Sequence, residues 1–403
     1  MRKVFEVYLA KADQPDSAAC AELSLPAAPY QLQDAFDKLR LADGESPYWE
    51  ITGYQQFEEL SSVLNDTCGL YDLNALAQKL SELDEEQCTA FAGLLKMEQN
   101  REQPIPISRL IDLAHGTSSC HVVSEALNDS QLGLFCAENG FLPELDNLPD
   151  TVFDLLDFER IGREHRKAEG GVFVERGADY PGGYVEQREA LTEVYKTLDL
   201  TVKTPDCAIL LEVSKVFING PGCDGEKTAR LELPASPEEL SSALEAVEAR
   251  DWREAGWSCL DCRVPALTEM ISDAGEGIDF LNCLSQRLAD MEPKALTAYK
   301  ALLDAVKCHD LQNAALLADT LDRYIFSPQY SSPAEVAKGE LSAILCEVES
   351  EIIMPHVNLY QYGQALIQKY GGTLTSYGLI ERVDGQPVLN MEKRPQQGGM
   401  ELK

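Results

Sequence analysis

Apolar residues along the first half of the chain follow two periods, and each period predicts one kind of element. Short apolar stretches at residues 4–9 and 21–25 predict two strands. Pro29 marks the expected start of a helix, and a third strand is predicted at residues 49–51. Over residues 72–95, leucines recur at helical spacing with acids between them. That pattern predicts helices with one buried face.

The same order of elements is predicted again in the second half. Strands are expected at residues 209–213 and 229–233, and the run Ser236-Pro237-Glu238-Glu239 has the cap, proline and acids of a helix start. A third strand is predicted at 257–259 and helices over 279–304. Neither half alternates strand and helix as a doubly wound sheet does. The pattern therefore predicts an α+β fold made of several small α/β and helical modules.

The repeated order reflects an internal duplication. At a displacement of 208 residues, 18 of the 71 positions from 25 to 95 are identical, including Trp49 with Trp257 and Asn74 with Asn282. Later in the chain the displacement becomes 201, which aligns Gly162 with Gly363 and Gly177 with Gly378. Two long constant registers that include tryptophans are not expected from composition alone.

These registers divide the chain into two tandem homologous units, which we call repeat one and repeat two. We predict repeat one at residues 1–190, a linker at 191–205 and a diverged repeat two at 206–385. Residues 386–403, rich in Gln, Gly and Pro, are predicted to be a disordered tail. The two units in a row predict an elongated molecule.

The charge of the chain is strongly negative. Lys and Arg number 34 against 68 Asp and Glu, which gives a formal net charge of −34. A surface that binds nucleic acid or an anionic membrane needs basic side chains, so direct binding to either is not expected. Residues 41–160 hold only 5 basic side chains against 23 acids. The candidate partner-binding acids of this region are Glu82, Asp84, Glu85, Glu86, Glu98, Glu102, Asp112, Glu125, Asp129, Glu138, Glu144, Asp146, Asp150, Asp154, Asp157 and Glu159.

Two interpretations of these acids remain open on composition. They form either an ordinary solvated surface that keeps the protein dispersed, or an imitation of a polyanion. Duplex DNA carries one charge per roughly 1.7 Å, so this net charge corresponds to roughly 58 Å of duplex. Interleaved apolar residues indicate that the acidic stretches fold, with carboxylates on the solvent faces of helices.

Motifs for metal binding or catalysis are missing from the sequence. The single CxxC, Cys259 to Cys262, has no second ligand pair and coincides with a predicted strand, so we expect core cysteines. The five histidines show no ligand spacing, and a surface position is expected for each. Phosphate-binding loops and nucleophile motifs do not occur, and acids are too abundant for a catalytic pair to be picked out. We therefore expect no enzyme, no metal and no cofactor.

The location of the protein is predicted from its N-terminus and cysteines. Its first residues lack the apolar stretch of a signal peptide, and no apolar run is long enough to cross a membrane. Cysteine makes up a small share of the chain, far from a disulfide scaffold. These features predict a soluble cytoplasmic protein with reduced thiols.

Three stretches that together span nearly all of repeat one, residues 7–10, 48–54 and 132–164, resemble a known family, the ArdA antirestriction proteins. The C-terminal signature of that family is a Glu-x-Gly helix end, then a Leu-Pro, then an acidic-aromatic run that ends in Gly-Arg followed by Asp or Glu. Residues 132–164 resemble this signature. The family's opening module is similar to residues 7–10 and to the strand at residues 48–51 with Tyr54. The segments that carry the C-terminal signature are Leu132-Gly133-Leu134-Phe135-Cys136-Ala137-Glu138-Asn139-Gly140, Leu148-Pro149-Asp150 and Leu155-Leu156-Asp157-Phe158-Glu159-Arg160-Ile161-Gly162-Arg163-Glu164.

The resemblance implies a function that needs no catalytic residue. ArdA-like proteins consist of three small modules whose acidic surface imitates bent B-form DNA. Such a protein occupies the DNA-binding groove of type I restriction–modification enzymes, chiefly the methyltransferase core, and is typically carried by a mobile element. The candidate acids would then stand in collectively for phosphates.

Repeat two departs from the family pattern. Asp157-Phe158-Glu159 corresponds to Asn358-Leu359-Tyr360, and Arg163 corresponds to Gln364. ArdA-like proteins are usually single units that dimerise, so the duplicated chain is expected to act as a monomeric pseudo-dimer or as a homodimer. An acidic protein–protein interaction module or adaptor, unrelated to restriction, remains the alternative function. A hydrolase with an unrecognised carboxylate pair is a third possibility.

Overall fold

The computed structural model describes most of the chain. The described residues are 2–13, 17–41, 45–64, 68–99, 105–142, 150–153, 155–177, 180–215, 227–273 and 275–389. Within these ranges no helix combines the length and apolar character that crossing a membrane requires. Helices and small three-stranded sheets follow one another along the chain, which confirms the predicted α+β fold built from several small modules.

The elements of repeat one begin as predicted, with two strands, a helix and a third strand. Pro29 is the first residue of its helix, where its missing N–H costs nothing. The predicted helical stretch at 72–95 forms two helices that meet at Glu82–Asp84. In chain order the elements are β1 (Phe5–Lys11), β2 (Cys20–Leu25), α1 (Pro29–Leu39), β3 (Pro47–Gly53), α2 (Leu70–Ser81), α3 (Glu85–Gln99), α4 (Ile107–His115), β4 (Cys120–Val123), α5 (Asp129–Glu138), α6 (Asp150–Phe153), α7 (Phe158–Glu169), β5 (Val172–Val174) and β6 (Gly183–Gln187).

Repeat two has the same order, and its first helix begins with the predicted cap. The Ser236 side chain accepts the N–H of Glu239, and the Glu239 carboxylate accepts the N–H of Ser236, forming a capping box. In chain order the elements are β7 (Ile209–Lys215), β8 (Thr228–Leu233), α8 (Pro237–Ala246), β9 (Ala255–Cys262), α9 (Thr268–Ser272), α10 (Ile278–Asp290), α11 (Pro293–Val306), α12 (Leu311–Ala318), β10 (Tyr324–Ser327), α13 (Pro333–Ile344), α14 (Glu347–Ile353), α15 (Leu359–Tyr370), β11 (Thr373–Leu374) and β12 (Leu379–Arg382).

Sheet topology shows the duplication directly. The first sheet of each repeat has its first strand in the centre, in the orders β2-β1-β3 and β8-β7-β9. The second sheet of each repeat has its last strand in the centre, in the orders β4-β6-β5 and β10-β12-β11. The pairs of the second sheets are antiparallel in both repeats. Each sheet of repeat one therefore has a counterpart with the same strand order in repeat two. This agreement is the structural counterpart of the sequence registers.

An asparagine makes the same pair of hydrogen bonds in both repeats. Asn74 accepts the N–H of Ala27 at 2.8 Å and donates to its carbonyl at 3.1 Å. Asn282, 208 residues later, accepts the N–H of Ala235 at 2.7 Å and donates to its carbonyl at 2.9 Å. Each bidentate contact fixes the residue after a cis proline to a later helix, α2 in repeat one and α10 in repeat two. The identity of Asn74 and Asn282 in the sequence thus has a structural reason.

The glycine register is correct at Gly162 and Gly363 but not at Gly177. Residue Gly183 has a φ of 146°, and Gly378 has a φ of 149°, and a Cβ on either would lie 2.6 Å from a carbonyl oxygen of the neighbouring strand. Gly378 is therefore equivalent to Gly183 rather than to Gly177. Residues 172–174 form β5, and β6 follows it and occupies the centre of the second sheet of repeat one. The loop between β5 and β6 changes length between the repeats.

The chain forms two compact units. The first compact unit comprises Met1–Tyr8, Ser24–Ala27 and Trp49–Val202, and the second comprises Leu9–Leu23, Ala28–Tyr48 and Lys203–Lys403. The boundary at Val202 lies inside the predicted linker, but α1 groups with repeat two. At the other end, the structure describes residues 386–389 of the predicted tail, where Val388 donates its N–H to the Gly371 carbonyl at 3.0 Å. The remainder of that tail, 390–403, lies outside the described residues.

A buried ion-pair network holds α1 within the second compact unit. Lys300 on α11 is 3% exposed, and its Nζ lies 3.0 Å from Asp34 and 2.8 Å from Asp37. The Tyr377 hydroxyl donates to Asp34 at 2.9 Å, and Lys38 pairs with the same carboxylate at 2.9 Å. Burial alone would raise the pKa of Asp34, but the charges of Lys300 and Lys38 lower it. The carboxylate therefore stays ionised inside the unit.

A second buried carboxylate of this unit lacks a cation. Asp261 on β9 is 3% exposed and accepts the backbone N–H groups of Tyr30 at 3.1 Å and Cys262 at 3.0 Å. Burial raises its pKa from 3.8 to about 6, because two hydrogen bonds do not compensate for the lost hydration. The folded unit therefore binds a proton here that the unfolded chain releases.

Replacing Asp261 with asparagine is expected to change the pH dependence of stability. For a raised carboxyl pKa, the stabilising contribution is present below the unfolded value of 3.8 and is lost as pH rises through about 6. Asp261 is ionised at pH 7 and protonated in acid, so asparagine removes an unfavourable charge only at pH 7. The change in the free energy of unfolding caused by Asp261→Asn should therefore be about 2–3 kcal/mol more stabilising at pH 7 than in acid. Urea denaturation of both proteins across this range measures the difference. A difference that does not vary with pH would contradict the assignment.

Candidate protein-binding surface

Four exposed carboxylates lie at the junction of α2 and α3 in the first compact unit. Glu82 is the C-terminal cap of α2, and Asp84 caps α3 by accepting the N–H of Gln87 at 2.8 Å. Glu85 and Glu86 occupy the first turn of α3. The N-terminal end of a helix carries partial positive charge, which stabilises acids in this position. The sequence thus places four negative groups on five consecutive residues of surface.

The sixteen candidate acids differ in their exposure. Glu82, Asp84, Glu85, Glu86, Glu125, Glu138, Asp157 and Glu159 are exposed, Glu98 and Asp129 are half-buried, and Asp112 is buried. Asp150 is the first residue of α6, but its side chain is not among those described. The structure does not describe Glu102, Glu144, Asp146 and Asp154.

Asp112 does not belong to the surface, so the expectation that its carboxylate faces solvent is wrong. It is 7% exposed, and its Oδ1 accepts the N–H of Tyr195 at 2.8 Å. The Tyr195 hydroxyl in turn donates to Asp72 at 2.9 Å. Asp112 therefore fixes the segment that follows β6 to α4. In the sequence, Asp112 is an acid between apolar residues of α4. Only the segment that contains Tyr195 shows that this side of α4 is covered.

Asp129 and Glu159 are exposed in part but are neutralised by α7. Arg166 donates to both carboxylate oxygens of Asp129, at 2.8 and 3.0 Å, and this hydrogen bonding lowers the Asp129 pKa. Arg163 pairs with Glu159 one helical turn earlier. Glu98 is paired in the same way with Arg109 at 3.0 Å. These acids present little net charge to a partner.

The remaining exposed acids keep their charge. Among the described residues, no lysine or arginine forms an ion pair with Asp84, Glu85, Glu86, Glu125 or Glu138. Glu82 has only Lys79, at 3.7 Å, and its carboxylate is largely exposed. Asp157 is also exposed, but it caps α7 by accepting the N–H of Arg160 at 3.0 Å, and its charge acts on the Arg160 guanidinium. We call the other six, Glu82, Asp84, Glu85, Glu86, Glu125 and Glu138, the open acids. They are the part of the predicted site that a basic partner could reach.

A polar cluster around Glu186 was not anticipated from the sequence. Glu186 on β6 is 3% exposed and accepts hydrogen bonds from Arg188 at 3.0 and 3.1 Å and from His165 at 3.0 Å, with His121 at 3.3 Å. Burial alone would raise the Glu186 pKa, but the hydrogen bonds and charges of Arg188 and His165 lower it. Phe141 stacks on the His121 ring. The cluster ties α7 and β4 to β6.

Repeat two lacks this cluster, which shows that it is a specialisation of repeat one. His121 pairs with Glu186 across β4 and β6, and the equivalent cross-strand pair is Ile325 with Glu381. Burial raises the Glu381 pKa, and no neighbouring positive charge offsets this effect among the described residues. The expected surface position holds for His309 and His356 but is wrong for His115, His121 and His165, which are half-buried. No single residue spacing could have indicated the cluster, because its members come from three separate elements.

The cysteines behave as predicted. Cys259 and Cys262 lie on β9, Cys262 is fully buried, and burial raises the Cys259 pKa to about 12. Such thiols are poor nucleophiles and poor metal ligands at neutral pH. Within the described part of the chain, no group of three or more His, Cys, Asp or Glu side chains is arranged to hold a metal ion.

The chain was compared with protein-family models and with curated protein sequences. Neither comparison found a match.

Proposed function

We propose that this protein is a DNA-mimic antirestriction protein of the ArdA type. It inhibits type I restriction–modification enzymes in the cytoplasm by occupying the DNA-binding groove of the methyltransferase core. It acts without a catalytic residue, metal or cofactor, and it binds no nucleic acid itself. We further propose that a mobile element carries it.

The observation that carries this proposal is the distribution of the open acids. They lie on repeat one, in the region where acids outnumber basic side chains by 23 to 5. The nearest alternative explanation is a uniformly solvated acidic surface. It would not require these six acids to lack a close arginine partner while α7 of the same unit is rich in arginine–carboxylate pairs. A DNA-binding groove is lined with Lys and Arg, so it offers the complementary charge.

Neutralising the open acids should weaken inhibition. Exposed ion pairs contribute only about 0.2–1 kcal/mol each, so one substitution should have little effect and six together should cost roughly 1–6 kcal/mol. We expect the sixfold variant, with Glu→Gln and Asp→Asn, to bind a type I methyltransferase core at least about fivefold more weakly. Binding is measured by isothermal titration calorimetry at fixed salt.

A matched control comes from repeat two. Its exposed acids Glu238, Glu245, Asp279, Asp290, Glu292 and Asp322 are neutralised in the same way. This variant carries the same net charge as the first, so a general effect of charge would weaken binding equally in both. Equal affinity of both variants would contradict the assignment to repeat one, and unchanged affinity of the first would exclude mimicry by these residues.

The alternative, an acidic adaptor for another basic protein, predicts the same dependence on salt. Competition with DNA separates the two functions, because only a DNA mimic excludes duplex from the partner's groove. A hydrolase would instead lose all activity on a single carboxylate substitution.

A further inference from the structure

We infer that repeat two carries a separate protein-binding surface, an apolar patch of Ile344, Val348 and Ile352 that binds a basic amphipathic helix of a partner protein. These side chains are 66%, 65% and 63% exposed. Val348 and Ile352 are one turn apart on α14 and therefore share a face of the helix. Ile344 is the last residue of α13, which packs against α14. Three large apolar side chains so exposed within nine residues are unusual for a surface without a partner.

The patch has no counterpart in the sequence of repeat one. At the displacement of 201, Val348 corresponds to Asn147, Ile352 to Thr151 and Tyr360 to Glu159. Tyr360, on α15, is also exposed, at 53%. Repeat one therefore carries polar or charged residues at the aligned sequence positions, of which Asn147 lies outside the described residues. The apolar side chains of repeat two do not reach its core, so burial within the chain does not explain them.

The charge around the patch favours a basic occupant. Glu347 and Glu351 are exposed and form a row directly beside Val348 and Ile352 on α14. No lysine or arginine occurs between Lys338 and Lys369 in the sequence. A second copy of this chain on a twofold axis would bring its own acidic row against this one, and the repulsion would oppose dimerisation. An amphipathic helix with Lys or Arg beside its apolar face satisfies both the apolar and the acidic row.

This surface goes beyond the proposed antirestriction function and does not depend on it. The open acids belong to repeat one, whereas the patch belongs to α13 and α14 of repeat two. The two surfaces share no residue, so each can be changed without altering the other.

The test uses the full chain and a synthetic peptide of about 18 residues, or five helical turns. Leucines form one face of the peptide and lysines the other, and its binding is followed by fluorescence anisotropy. We expect saturable binding that the double variant Val348→Asn/Ile352→Thr weakens by about tenfold or more. These are the residues of repeat one, so the variant should fold, and its thermal unfolding is measured to check this.

Two controls separate the patch from general attraction to an acidic protein. A scrambled peptide of identical composition, whose leucines no longer share a face, should bind at least about tenfold more weakly. The variant Glu347→Gln/Glu351→Gln should bind the amphipathic peptide more weakly and with a shallower dependence on salt. The variant with neutralised open acids should bind it as the unchanged chain does, within about twofold.

Several results would overturn the inference. These are equal binding by the Asn/Thr variant, equal binding of the scrambled peptide, or loss of binding when the open acids of repeat one are neutralised. Sedimentation that shows a dimer of the unchanged chain and a monomer of the Asn/Thr variant would assign the patch to a second copy instead. A failure here leaves the antirestriction proposal standing, because that is tested on a different enzyme and different residues.

Discussion

Replacing Lys300 with methionine is expected to lower the free energy of unfolding of the second compact unit by about 3–5 kcal/mol. The substitution keeps the length of the side chain but leaves the carboxylates of Asp34 and Asp37 without their buried cation. Removing one partner of a buried ion pair costs far more than removing an exposed one, because water cannot reach the charge that remains. Guanidinium denaturation gives the change, and hydrogen exchange of α1 and α11 assigns it to this unit.

The matched control is Lys307→Met at the C-terminal cap of the same helix, α11. Lys307 is about half exposed and pairs with Asp304 at 2.8 Å, so its loss should cost no more than about 1 kcal/mol. Adding Asp34→Asn to Lys300→Met should recover part of the stability, since it removes a buried charge that would keep only Lys38 as its cation. If Lys300→Met and Lys307→Met destabilise equally, the network is not the element that holds α1.

The Lys300 network also determines how the protein should be tested. Asp34 and Asp37 lie on α1, which belongs to repeat one in sequence, whereas Lys300 and Tyr377 belong to repeat two. At the equivalent positions of the opposite repeats stand Ser242, Glu245 and Ala92. The network therefore forms once in the chain. Cutting between the repeats would separate its members, so the full chain is the appropriate protein for binding measurements.

Replacing Gly162 with alanine is expected to destabilise the first compact unit by about 3 kcal/mol or more. A Cβ at Gly162 would lie 1.9 Å from the carbonyl oxygen of Asp129 and 2.7 Å from the N of Gly133. The neighbouring atoms are backbone of α5, so α7 must move away from α5 as a whole. Thermal unfolding by circular dichroism measures the effect, and Lys167→Ala on the exposed side of α7 serves as the control with a change within about 0.5 kcal/mol.

Repeat two offers an independent copy of this test. Gly363, aligned with Gly162, lies on α15, and a Cβ there would be 1.7 Å from the carbonyl oxygen of Pro333. Gly363→Ala should therefore destabilise the second compact unit by a similar amount. An unfolding temperature unchanged by either substitution would contradict the close approach of the helices.

Most elements of the fold follow from local sequence signals. Pro29 and the Ser236-to-Glu239 box start helices, and alternating residues such as those of β7 form strands, because these signals act over a few residues. The duplication was predictable for the same reason, since identical residues such as Asn74 and Asn282 make identical contacts.

Long-range pairings were not predictable from one sequence. The short strands β4 and β6 carry no clear alternation, and β6 becomes recognisable only when it pairs with both β4 and β5. Likewise, the apolar spacing along α11 predicts a buried face, and only the contact of Lys300 with α1 explains why a lysine is buried there. The distant partners are β4 for β6 and α1 for Lys300: His121 and Glu186 are 65 residues apart, and Asp37 and Lys300 are 263 apart.

The candidate site was predictable in composition but not in detail. The junction acids from Glu82 to Glu86 are exposed as expected, because caps and first turns favour them. Asp112 and Asp129 both lie on helices, yet one is buried against Tyr195 and the other is held by Arg166. The local sequence determines which face of a helix an acid occupies. Whether its charge stays unpaired depends on the segments that pack beside it.

The most direct test of the account is competition with DNA for a type I methyltransferase core. A fluorescently labelled duplex that carries the enzyme's target site is bound to the core and titrated with the full chain, at several salt concentrations. The account predicts complete displacement of the duplex at about one chain per binding groove, and weaker displacement by the variant with neutralised open acids. Retention of the duplex at a large excess of protein, across several such enzymes, would contradict DNA mimicry and leave an acidic protein with another partner.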